Sequence, residues 1–191
     1  MIRLVVAVVA VLFAAAAVAA LDPPELVIVR GRAIPKGGTV IVTPAGKPGP
    51  GQKDHKPVAT ATDVTGNTPL PAAGTYDLYF TPKGGLPVKL LEKWEAKVGK
   101  QTVTLSDHLG TVFVRSDDLP RADAVIVTAT DDPGPGEKGH IAIQKAGDYK
   151  EDMVVPAGTY AVWVMPFNGA KAQKVADNVR VLAGREAKVP E

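Results

Sequence analysis

Apolar residues in this chain fall in short runs, many of them β-branched, rather than in helical stripes. Val40-Ile41-Val42-Thr43 and Val125-Ile126-Val127-Thr128 are continuous runs, whereas Thr75–Phe80 and Thr159–Val164 alternate. Beyond the first twenty residues no segment sustains a 3.6-residue period, so strands are expected throughout. The pattern predicts strands at Leu26–Arg30, Thr39–Thr43, Pro57–Asp63 and within Pro71–Phe80, one or two more over Val88–Val98 and Lys171–Leu182, then an edge strand after Gly99-Lys100. Leu90–Glu95 has a helical composition, but Pro87 and Gly99 leave it too little room, and strand is retained. Thr65-Gly66-Asn67, Lys83-Gly84-Gly85 and Asn168-Gly169 read as turns. Alternation places Tyr76, Leu78 and Phe80 on one face, and Tyr160, Val162 and Val164 on the equivalent face.

The pattern occurs twice. Val40–Thr43 is followed by Pro48-Gly49-Pro50-Gly51-Gln52-Lys53-Asp54-His55, and Val125–Thr128 by Pro133-Gly134-Pro135-Gly136-Glu137-Lys138-Gly139-His140. The offset is constant (125 − 40 = 85; 140 − 55 = 85), and it becomes 84 at Gly74-Thr75-Tyr76 and Gly158-Thr159-Tyr160. Val112–Arg115 echoes the first strand, and Gly184-Arg185 echoes Gly99-Lys100. Pro44–Lys56 is a long loop, because alternating Pro and Gly support neither helix nor ladder. Each unit thus holds about seven short strands with frequent turn signals, as in a sandwich. The expected architecture is all-β: two tandem antiparallel β-sandwiches, residues 21–109 and 110–191, meeting at a polar joint near Ser106–Gly110. A joint this short limits relative motion without fixing an orientation.

Pro-Ala-Gly-Thr-Tyr-x-Val-x-Val at 156–164, with Gly184-Arg185 before a last strand, resembles the carboxypeptidase-regulatory-like and PEGA-like domains of bacterial surface and secreted proteins. Gly74-Thr75-Tyr76 and Gly99-Lys100 carry the resemblance into the first unit. It implies an accessory, non-catalytic domain with a transthyretin-like or immunoglobulin-like sandwich, and it transfers no site residues. The Pro-Gly-Pro-Gly loop is not part of that family pattern.

Met1-Ile2-Arg3, the apolar run Leu4–Val18 and the small-x-small pattern Ala17-Val18-Ala19 form the three regions of a secretory signal peptide, assigned to residues 1–20. Val18-Ala19-Ala20 offers a second cleavage site, and an uncleaved membrane anchor is the alternative. The chain is therefore expected to be exported, to the periplasm, cell surface or medium, with no membrane span after cleavage. The formal net charge of +2, without a basic stripe, disfavours nucleic acid. With no Cys, thiolate chemistry and disulfides are excluded, so each unit is expected to rely on its own core.

Candidate chemistry is sparse. The only serines, Ser106 and Ser116, lie in no nucleophile elbow, and Pro-Gly-Pro-Gly has prolines where a phosphate loop needs N–H donors. No enzyme activity and no cofactor are expected. His55 and His140, with His108 at the joint and Asp54, Asp63, Asp131 and Asp132 in nearby sequence, could ligate Zn²⁺ or Cu²⁺. The plainer alternative is a pair of loop histidines kept by duplication. Tyr79 and Trp163 occupy matching positions opposite the Tyr76 and Tyr160 face. Facing outward they could stack on a glycan or meet an envelope protein; facing inward they are core. Lys53 and Lys138 would present charge on the loop tips. The expected role is a binding or structural module of a bacterial envelope, the alternative a metal-binding exported protein.

Overall fold

Inward alternation in two central strands builds both sandwiches. The computed structural model describes residues 22–61, 66–115, 119, 121–147, 149, 151–167 and 169–190; the signal-peptide region, Asp63, Ser116 and Asn168 lie outside these. Fourteen strands are found among them. The first unit holds β1 (Glu25–Val29), β2 (Thr39–Pro44), β3 (Ala59–Ala61), β4 (Asn67–Pro69), β5 (Gly74–Thr81), β6 (Val88–Ala96) and β7 (Lys100–Thr104). The second holds β8 (Leu109–Val114), β9 (Ala122–Ala129), β10 (Gln144–Ala146), β11 (Met153–Pro156), β12 (Gly158–Pro166), β13 (Gln173–Val181) and β14 (Glu186–Val189). A 3₁₀ turn at Leu105–Asp107 links them.

Each unit faces a four-stranded sheet against a three-stranded one. The orders are β3-β2-β5-β6 with β4-β1-β7, and β10-β9-β12-β13 with β11-β8-β14. The expected all-β double sandwich is what forms, and Leu90–Glu95 is strand within β6. One detail departs from a purely antiparallel reading: β7 pairs with β1, and β14 with β8, in parallel. Both last strands arrive by crossing from the opposite sheet, the kind of connection that permits a parallel neighbour.

Tyr76, Leu78 and Phe80 of β5 are buried, as are Tyr160, Val162 and Val164 of β12. Both tyrosines reach the edge of their core and donate a hydroxyl hydrogen bond four residues back, Tyr76 to the Ala72 carbonyl at 2.8 Å and Tyr160 to that of Pro156 at 2.6 Å. A buried phenol thereby stays satisfied while pinning the approach to its strand. β6 and β13 bulge at matching positions, where Lys93 (φ 51°) and Asn178 (φ 56°) are left-handed. The bulge amide of Lys93 donates to Asp77 Oδ1 at 2.8 Å, that of Asn178 to Asp177 Oδ1 at 3.1 Å. Bulges and lysines on these two edges discourage edge-to-edge pairing.

Each unit has its own core, but that of the first also takes in residues of the second. Met153 and Val155 of β11 point into the second core, while Val154 between them is buried in the first. Leu109 opens β8 yet also belongs to the first core. Beside this seam Gln144 is buried completely and spans the units: Oε1 accepts from Leu86 N–H at 2.6 Å, and Nε2 donates to the carbonyls of Leu86 and Val154, both at 3.1 Å. The relative orientation is therefore set by this amide and Val154, not by the length of the joint. The counterpart of Gln144 in the first unit is Ala59 (144 − 85), so the contact has no copy there.

Gln144→Leu keeps the volume but leaves the Leu86 amide and two carbonyls without partners. A loss of about 1–3 kcal/mol is expected for each buried group left unsatisfied. Calorimetry should then resolve two unfolding transitions where the parent shows one; an unchanged single transition would refute the role of this amide.

Candidate functional site

The outer face of each four-stranded sheet is roofed by its own Pro-Gly-Pro-Gly loop. Alternation along β2 turns Ile41 and Thr43 outward, paired across the sheet with Tyr79 and Asp77. Thr43 and Asp77 are nevertheless buried, because the loop after β2 folds back over them. The same holds for Ile126 and Thr128 in the second unit. Pro fixes the loop's φ and Gly supplies the close approach. A Cβ on Gly49 would lie 2.7 Å from the Tyr79 hydroxyl, and one on Gly134 (φ +99°) 2.5 Å from the Trp163 ring.

Tyr79 and Trp163 thus lie on the outer face, half-buried under these loops rather than as an open aromatic row. Each ring also carries a lysine, Lys89 Nζ at 5.8 Å from the Tyr79 centroid and Lys174 Nζ at 5.0 Å from that of Trp163. Such cation–π contacts are worth about 0.5–1 kcal/mol at exposed positions. A carboxylate three residues on, Glu92 at 3.5 Å or Asp177 at 3.3 Å, steadies each ammonium. Burial depresses the Lys89 pKa, and Tyr79, Glu92 and Asp77 outweigh it, so the net direction is up.

The histidines hold the roofs down. His55 Nε2 lies 3.0 Å from Thr43 Oγ1. In the second unit the equivalent hydroxyl, Thr128 Oγ1, instead accepts from Trp163 Nε1 at 3.0 Å. His140 turns to Asp132, its Nδ1 2.7 Å from Oδ1, and Asp132 stands where the first unit has Lys47. Asp132 also accepts from Gly134 N–H at 2.8 Å and Ile141 N–H at 2.7 Å. Burial raises the Asp132 pKa, but the His140 bond, the two amide bonds and the imidazole charge more than offset it, leaving it below the ordinary value.

His55 and His140 are therefore each engaged within their own unit, and His108 lies at the joint. Among the described residues no group of three His, Cys, Asp or Glu side chains could hold a metal ion. Lys53 and Lys138 are exposed on the loop tips. Lys89, Lys174 and Gln144 were not among the sequence candidates. The first two lie 85 residues apart and could have been found by following the repeat, whereas nothing local distinguishes Gln144.

Three clefts adjoin these elements. A groove of about 490 Å³ between the units is walled by Leu86, Pro87, Ile141, Ile143, Pro50 and Pro156, among others. A cleft of about 370 Å³ beside Gln144 carries Lys36, Lys83, Lys145, Glu151 and Asp152. One of about 290 Å³ lies beside Trp163, Met165 and Lys171. Compared with family models, curated proteins and solved structures, the chain matches none. No helix among the described residues is long and apolar enough to cross a membrane.

Two outcomes test this arrangement. Gly134→Ala and Gly136→Ala both place a side chain at positive φ, but only the first meets the Trp163 ring. Gly134→Ala should cost at least about 1 kcal/mol more than Gly136→Ala, with a change in indole fluorescence; equal losses would refute the roof contact. Because the folded pKa of Asp132 is depressed, its contribution is full above the unfolded value near ~4 and is lost as pH falls through the folded one. The stability gap between the parent and Asp132→Asn should therefore close on acidification below about pH 4. A gap independent of pH would contradict the latch.

Proposed function

We propose that this chain is an exported, non-catalytic β-sandwich protein that serves as a binding or structural module of a bacterial cell envelope. The observation that carries this reading is the seam: Gln144 and Val154 join two sandwiches into one body and hold an apolar groove open between them. A preformed, largely apolar cleft between modules is where small ligands are most often bound. His55, His140 and Asp132 are engaged in fastening loops, which supports a non-catalytic role. The sequence pattern of the first twenty residues supports export, and the resemblance to carboxypeptidase-regulatory-like and PEGA-like domains supports an accessory role. That export pattern supports a periplasmic, cell-surface or extracellular address.

Expression in a bacterial host followed by fractionation and intact mass measurement tests the reading. The expected product lies outside the cytoplasm and begins at Ala20 or Leu21. Full-length chain confined to the cytoplasm would sink the envelope assignment.

A further inference from the structure

We infer that the groove between the sandwiches binds a single-chain anionic amphiphile of the fatty-acid type, its acyl chain along the apolar walls and its acid group toward Lys89. This rests on the binding-module reading and adds the ligand class. Ile141 is 72% exposed and Leu86 38% exposed, so two large apolar side chains face an open groove of about 490 Å³. Pro50, Pro87 and Pro156 complete walls that lack backbone N–H groups at those positions, leaving few donors to hold water.

The polar side chains on the groove are Gln52 and Lys89. Gln52 Oε1 already accepts from Gly49 N–H at 2.7 Å, which leaves its amide N–H groups as donors. Lys89 is a donor too, and no carboxylate lines the groove. A ligand head complementary to this lining is an acceptor, and an anion fits better than a neutral group. Glu92 at 3.5 Å and Asp77 at 4.0 Å share the Lys89 charge, so the acyl chain supplies most of the affinity.

Both walls are fixed in advance. Gln144 holds Leu86 by its N–H and its carbonyl. Asp132 takes the Ile141 N–H, and the Val127 carbonyl takes that of Ile143 at 2.8 Å. Rigid walls reduce the ordering cost of binding. In the second unit the equivalent positions Pro135, Gly136, Glu137, Lys171 and Ala172 line the smaller cleft beside Trp163, where Lys171 replaces the apolar Leu86.

The test is calorimetric titration of the mature protein, from Leu21 onward, with sub-micellar dodecanoate, dodecanol and butanoate. Dodecanoate should bind with one-to-one stoichiometry, and butanoate should not bind. Ile141→Asp, a change at an exposed side chain, should weaken dodecanoate by about tenfold or more, the loss expected for a charge placed on an apolar wall. Lys89→Gln should weaken dodecanoate by about threefold and leave dodecanol unchanged, the scale of an exposed ion pair. No dodecanoate binding, or equal binding by Ile141→Asp, overturns the site. Equal affinity for dodecanol and dodecanoate overturns the assignment of the head group. If the exported mature chain is found as expected while dodecanoate fails, the ligand class alone has failed and the module reading stands.

Discussion

Burial of both faces of β5 and β12 is the constraint on which the rest of the structure depends. Their inner faces, led by Tyr76, Leu78 and Phe80 and by Tyr160, Val162 and Val164, are covered by the three-stranded sheets. Their outer faces carry an aromatic ring, Tyr79 or Trp163, beside a buried threonine on the neighbouring strand. A two-sheet sandwich leaves that second face in water. The Pro-Gly-Pro-Gly loop supplies the missing layer, its glycine lying on the ring and its histidine fastened to the sheet or to the loop itself.

The two roofs show how duplicated units diverge without losing a hydrogen bond. One threonine hydroxyl lies at the centre of each. In the first unit His55 engages it, and tyrosine at 79 has no indole N–H to compete. In the second, Trp163 brings an N–H that takes Thr128, and His140 is received by Asp132, a residue with no carboxylate counterpart at Lys47. The amide of the first loop glycine follows suit, bonded to Gln52 in one copy and to Asp132 in the other. A buried polar group must find a partner, so substitution at one position is matched at the next.

At the seam the symmetry ends. Gln144 replaces the small residue found at Ala59 and satisfies groups on both units, while Val154 crosses into the first core. These contacts turn a short joint into a fixed angle, and a fixed angle gives the groove a defined shape. A binding role for the chain therefore draws on a seam between the units, whose first wall alone has a counterpart, beside Trp163.

By itself the sequence determined the all-β class and the inward face of each central strand, because a period of two and a constant offset are local properties of the chain, whereas β11 and β4, whose Asn67 reads as a turn, were not legible in it. It also placed Tyr79 and Trp163 on the opposite face and marked His55 and His140 as equivalents. Whether that second face met water, a neighbour or its own loop was not legible, since coverage depends on where a loop of Pro and Gly folds in space. The partners of the histidines followed from that folding. The seam was decided by tertiary structure alone: Gln144 and Leu86 are 58 residues apart, and no periodicity links residues whose only relation is to satisfy each other's buried hydrogen bonds.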